Sequence, residues 1–136
     1  MTNKPPPTIY KGRSLGIVVL TAAQILIGAI HVFSGVWLLS AELAVGGQVS
    51  LPYDVYTLVF GVLVLVFAVF IWRQKKLGWV GTLAISFFVI VADGLVVLGL
   101  PSIPGIPAAP ALSEIGYSVL VVVYLCLRHV RKKFLG

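Results

Sequence analysis

The sequence predicts an all-α protein embedded in a membrane, a bundle of four helices with both termini on the cytoplasmic side. Three observations carry this expectation. Of 136 residues, 60% are hydrophobic and only 10% charged, with a mean hydropathy of +1.09, whereas soluble domains are about 45–50% apolar and about 25% charged. The apolar residues fall into four runs near the ~20 residues that a membrane helix requires. The ten Lys and Arg residues are confined to alternate connections between those runs. The same composition excludes a disordered chain. The one cysteine, Cys126, excludes an internal disulfide framework and any cysteine-held metal or iron–sulfur cluster.

The predicted spans, within a single domain covering 1–136, are about 14–40, 55–72, 77–100 and 112–128. The run from Ser14 to Ser40 carries no charge and far exceeds the apolar core of a signal peptide; it is expected to be a retained span. Span four is the shortest and holds Glu114 in its first turn. Lys4, Lys11 and Arg13 precede span one. Arg73, Lys75 and Lys76 separate spans two and three, and Arg128, Arg131, Lys132 and Lys133 follow span four. The other two connections contain no base. An even number of spans places all three basic groups on one side, which the positive-inside rule makes the cytoplasm. Glu42, Asp54, Asp93 and Glu114 then lie in the outer half or the outer loops. Trp72 and Trp79 are expected as aromatic anchors at the inner interface, with Trp37, Tyr53 and Tyr117 near the outer one.

The +6 charge is thereby an orientation signal, and no nucleic-acid partner is expected. The basic tail is suited to weak attraction to anionic membrane lipids. Outside the spans, Pro5-Pro6-Pro7 in the Pro-rich arm 1–10 predicts polyproline II, which a partner subunit would hold if the arm is ordered. In the first outer loop, two short β-compatible runs around Gly46-Gly47 carry a hairpin signal. In the outer loop 101–111, Pro101, Pro104, Pro107 and Pro110 recur at the three-residue period of polyproline II. Such a stiff, uncharged segment serves as a rigid connection, or lies over the outer mouth of the bundle or on another protein. No internal repeat supports an inverted-repeat transporter architecture.

Ionisable groups within spans are costly and therefore candidate functional residues. Span one carries Gln24, Gly28, His31 and Gly35 on one helical face, suited to close packing and hydrogen bonding between helices. In span three, Gly78, Thr82 and Ser86 form a small-residue stripe, with Asp93 seven residues further on the same face. Counted at ~1.5 Å per residue, His31 and Asp93 reach similar depths, so these two are expected to approach each other or to share a polar pocket with Glu114. The candidate intramembrane cluster is thus His31, Asp93, Glu114 and Gln24, and the packing positions are Gly28, Gly35, Gly78, Thr82 and Ser86. Glu114, Tyr117, Val121, Tyr124 and Arg128 share one face of span four. That face either lines a hydrophilic groove or sends its polar ends to the two interfaces.

No glycine-rich phosphate loop, nucleophile elbow, metalloprotease motif or pair of axial histidines within the spans is present. No catalytic residue, metal or cofactor is predicted, although contact with lipid or quinone is compatible with the spans. Cys126, beside the basic tail, is expected to be a buried, inert thiol, with palmitoylation or mild activation as the alternative.

The turn Trp72-Arg73-Gln74-Lys75-Lys76-Leu77-Gly78-Trp79 and the ending Leu127-Arg128-His129-Val130-Arg131-Lys132-Lys133 give the chain a layout that resembles small prokaryotic four-span integral membrane proteins. In size and span count it is similar to DoxX-type membrane subunits. The resemblance covers the spans, implies association with respiratory enzymes, and carries no site residues. The leading expectation is a non-catalytic accessory subunit of a larger prokaryotic membrane complex, of the energy-converting, respiratory-oxidase type, with other integral membrane subunits and membrane lipids as partners. The alternative is a small homo-oligomeric ion- or proton-coupled transporter or channel using His31, Asp93 and Glu114. A small membrane enzyme or quinone-binding redox protein is the third.

Overall fold

A computed structural model describes residues 13–46 and 51–136. The described residues form five helices: α1 (Leu15–Val45), α2 (Leu51–Trp72), α3 (Lys76–Val97), α4 (Ala108–Cys126) and the short α5 (Arg128–Leu135). The first four are long and apolar enough to cross a membrane. Among the described residues there is no strand. The polyproline reading of arm 1–10 lies outside the described residues.

Local chemistry explains the boundaries. Ser14 caps α1 by accepting a hydrogen bond from the Ile17 amide. The helix continues past residue 40 to Val45, because Ala41 to Val45 hold no helix breaker, and Gly46 ends it at φ +70°. This corrects the hairpin expectation: Glu42–Val45 form the last turn of α1 and Leu51 already opens α2, while 47–50 lie outside the described residues. The turn between α2 and α3 is tight, with Gln74 in the left-handed region at φ 54°, so these helices are antiparallel neighbours.

The proline loop also departs from expectation. Gly105 takes φ +94°, a sign of backbone rotation that polyproline II excludes, so the three-residue period does not continue as one extended edge. Pro110 lies in the first turn of α4, where its missing N–H costs nothing. The helix therefore starts at Ala108 rather than near 112, and Glu114 falls in its second turn. The loop folds onto the bundle end: Ser102 Oγ donates to the Ala92 carbonyl at 2.8 Å, and Gly105 packs against Tyr53.

The most extensive packing is of α1 along α2 and of α3 along α4, with α2 joining the two pairs. Gly28 and Gly35 sit against α2, at Leu65 and Leu58 respectively, and Gly61 answers from α2 against Val32 and His31. Gly78 lies on the backbone of Phe70 and Ile71. These glycines permit the close helix approach on which packing in lipid depends, since burial of apolar surface supplies little drive there. Much of the remaining surface is apolar and exposed, including Leu26, Phe33, Trp37, Phe87 and Leu120.

All described Lys and Arg residues gather at one end. There Arg13 stacks over the Trp72 ring at 4.3 Å and donates from Nε to the Trp72 carbonyl at 2.9 Å. Trp79 Nε1 donates to the Leu125 carbonyl at 3.0 Å. The basic tail is a helix in its own right. Leu127 (φ −58°, ψ 131°) breaks α4 from α5, so Arg128 does not extend the Glu114–Tyr124 face. Val130 and Phe134, four residues apart, turn inward and pack with Ile17, Leu20, Ile71, Val121 and Leu125, while Arg131, Lys132 and Lys133 remain exposed. Phe134→Ala is expected to undock α5. Losing ~1.5–3 kcal/mol of burial raises its open population about tenfold or more. Limited trypsin digestion checks this, because cleavage within 128–133 should accelerate while the spans stay protected.

Candidate functional site

The backbones of α1 and α4 scarcely approach one another, and the space between them is a cavity of about 310 Å³. Its polar lining comes from three helices: Gln24 and His31 from α1, Thr82 and Ser86 from α3, and Ser113, Glu114, Tyr117 and Ser118 from α4. Phe60, Phe67, Ile85 and Val89 supply much of the apolar wall.

At one end of the cavity His31 Nε2 meets Glu114 Oε1 at 3.1 Å. His31 Nδ1 lies 2.8 Å from the Ile27 carbonyl, one turn earlier in α1. A carbonyl only accepts, so Nδ1 carries hydrogen and donates. The Nε2–Oε1 contact must therefore hold one proton, either as imidazolium and carboxylate or as neutral imidazole and carboxylic acid. Both forms have zero net charge, which makes the pair affordable away from water. The edge of Phe60 meets the His31 ring, with centroids 4.9 Å apart and planes at 63°, and fixes its orientation. The side chains of His31 and Glu114 retain 19% and 30% exposure, so the pair sits at the opening of the cavity along the α1–α4 seam.

Asp93 is fully buried, and neither carboxylate oxygen makes a hydrogen bond of regular geometry. Its carboxyl lies beside that of Glu114 and feels the charge of His31. It is not among the residues that line the cavity. At the other end of the cavity, Gln24 Nε2 and Thr82 Oγ1 form a buried hydrogen bond of 3.1 Å.

The four residues of the candidate cluster therefore occupy two stations. His31, Glu114 and Asp93 are together, and Gln24 is about two turns away, bonded to α3. The face shared by Gln24, Gly28, His31 and Gly35 divides its work, with the glycines against α2 and the polar groups turned to α3 and α4. Thr82 and Ser86, on the packing stripe with Gly78, are buried and also line the cavity: α3 turns its glycine edge to α2, and Thr82 bonds across to Gln24 of α1. Tyr117, expected as an interfacial anchor, also lines the cavity, and its hydroxyl has no hydrogen-bond partner. Phe60 and Gly61 were not legible as site residues: in an apolar span nothing marks which Phe meets a histidine. Their spacing to the interior stripe Val64 and Ala68 was the available signal. Among the described residues no group of three or more metal-ligating side chains is assembled.

Fold and site define the class: an α-helical bundle of the multi-pass membrane type, with a proton-sharing His–Glu pair at the opening of an interior cavity. Comparison with protein-family models, curated proteins and solved structures returns no match.

Proposed function

We propose that the chain is a small proton-coupled membrane transporter, in which a small molecule occupies the α1–α4 cavity and exchanges a proton with the His31–Glu114 pair. The observation that carries this reading is the 3.1 Å contact itself. With Nδ1 committed to Ile27, the pair stores one proton that either partner can hold, at a position a cavity ligand can touch. Asp93 serves as the second acceptor. It lies beyond Glu114 toward the end of α3, under the loop that Ser102 and Gly105 hold down. The direct test is proton flux driven by a potassium diffusion potential in vesicles containing the purified protein. Flux that depends on Glu114 supports the proposal, and flux indifferent to Glu114→Gln sinks it.

A second reading is that of an accessory subunit of a larger prokaryotic membrane complex, favoured by the wide apolar surface that all four spans leave uncovered. It requires co-purification with larger subunits after mild detergent extraction. In both readings the protein belongs to the cell membrane with its basic end in the cytoplasm. Cys126, expected to be buried, is instead free and exposed near that end, because it falls on the outward face of the last turn of α4, and it reports on this orientation. A membrane-impermeant maleimide should label it in inverted vesicles and leave it unlabelled in intact cells; the reverse pattern would overturn the orientation.

A further inference from the structure

Within the proton-exchange reading, on which this inference rests, we propose that the cavity ligand is a protonated amine with at least two N–H bonds and a small apolar body, taken up in exchange for the proton of the His31–Glu114 pair. That pair holds one proton between Nε2 and Oε1, 3.1 Å apart. Because Nδ1 donates to the Ile27 carbonyl, removal of the proton leaves Nε2 as an acceptor facing a carboxylate oxygen. Two acceptors at that distance repel unless a donor stands between them. A single nitrogen about 2.8 Å from each, an ordinary length for a charge-assisted hydrogen bond, reaches both, but only if it carries two N–H bonds. A primary or secondary ammonium meets that condition. A tertiary ammonium has one N–H and a quaternary ammonium none, so each leaves an acceptor unsatisfied.

Charge sets the exchange at one for one. With its proton the pair is neutral in either form. With the amine bound, His31 is neutral and the ammonium balances the Glu114 carboxylate, so the net charge is again zero, at a depth where net charge is expensive. One N–H or O–H bond of the pair breaks, its proton passes to water at the cavity opening, and two N–H contacts to Nε2 and Oε1 form. No bond of the amine breaks and no electron moves. The surrounding groups favour a cation over an anion. Asp93 of α3 is a further carboxyl beside Glu114. Tyr53 and Tyr56 of α2 and Tyr117 of α4 bring no positive charge, and every described Lys and Arg lies at the basic end. An anionic ligand would face two carboxyls across one imidazole that is already engaged.

The pair is also open to such a ligand. Both side chains are partly exposed and both line the cavity. Its volume of about 310 Å³ lies at the lower end of the range for small-molecule sites, which limits the ligand to a single ring or a short chain. Beyond the pair, Phe60, Val64, Phe67, Ile85 and Val89 make the wall largely apolar. An apolar body fits there with its charged end at the opening.

The test is isothermal titration of the full chain in neutral-lipid nanodiscs, with empty nanodiscs as the blank. The probes differ by one methyl at a time: benzylamine, its N-methyl and N,N-dimethyl derivatives, and benzyltrimethylammonium. At about pH 6, below the ordinary imidazole value, all four are cations and the pair holds its proton. Affinity should break between the N-methyl and N,N-dimethyl compounds by at least about tenfold, the worth of one hydrogen bond to a charged group. Binding heats compared in two buffers of different ionisation enthalpy should show about one proton released per amine bound. Glu114→Gln, whose amide holds His31 without a carboxylate charge, should lose both binding and release. Ile25→Ala, on the exposed face of α1, should lose neither. Absence of binding, an even decline along the methyl series, binding without proton release, or indifference to Glu114→Gln would each overturn the inference. Glu114-dependent flux without amine binding defeats the ligand assignment alone; amine binding with proton release but no flux defeats the transport reading alone.

Discussion

Glu114→Gln is expected to leave the bundle folded and to reduce proton flux by on the order of a hundredfold, the scale on which a positioned proton-transfer group acts. The reason lies in the hydrogen inventory of the site. His31 Nδ1 donates to the Ile27 carbonyl, so Nε2 of a neutral ring is an acceptor. A glutamine at 114 offers an amide N–H to that acceptor, and the contact between α1 and α4 survives. What is lost is the second resting place of the proton, because an amide neither takes it up nor releases it. Flux should fall while the thermal unfolding midpoint barely moves. His31→Gln is expected to give the same loss, and the double variant no further loss, since the two groups act on one proton and their effects are not additive. Purified wild-type protein in potassium-loaded vesicles, with a pH-sensitive dye inside, provides the baseline. An additive double variant would show that the two residues act separately.

The second large effect concerns packing. Gly61→Ala is expected to destabilise the bundle by ~1–3 kcal/mol, the usual cost of overpacking a tight contact. A β-carbon there would stand 2.7 Å from the Val32 amide nitrogen and 2.9 Å from the Gly28 carbonyl oxygen. Both are backbone atoms of α1 and cannot turn aside as a flexible side chain would. Forcing α1 and α2 apart also displaces His31, whose Cβ lies 2.9 Å from the same point, so flux should fall along with stability. Gly94→Ala is the matched control. Nothing lies within 4 Å of its β-carbon position, and replacing a helical glycine by alanine is neutral or mildly favourable. Thermal unfolding in detergent, followed through helical circular dichroism, separates the two. Equal midpoints for both variants would mean that the Gly28–Gly61 approach does not limit the fold.

The sequence determined the helices and the sidedness of the charges by itself, because both depend on one-dimensional quantities. Twenty apolar residues in a row cannot leave their backbone groups unsatisfied in hydrocarbon, so each run becomes a helix. The basic groups bracketing alternate ends then require antiparallel neighbours, and the residue count places His31 and Asp93 at similar depth. Some boundaries were not legible. Pro110 interrupts the apolar pattern yet lies inside the first turn of α4, where proline is tolerated. In α5, Val130 and Phe134 look like strays in a basic tail until the bundle end offers them a surface.

Only the tertiary structure decided which partner each polar residue meets. A helical face of Gln24, Gly28, His31 and Gly35 is wide enough to touch three other helices, and the rotation of α1 about its axis allots its members among them. That rotation is set by the glycine contacts at Gly28, Gly35 and Gly61, whose close approach leaves α1 and α4 apart. The same displacement opens the cavity, leaves Thr82 and Ser86 on its lining, and brings Glu114 across the seam to His31. Depth along a helix is written in residue number. Azimuth between helices is a balance of packing over the whole bundle, and no single span carries it.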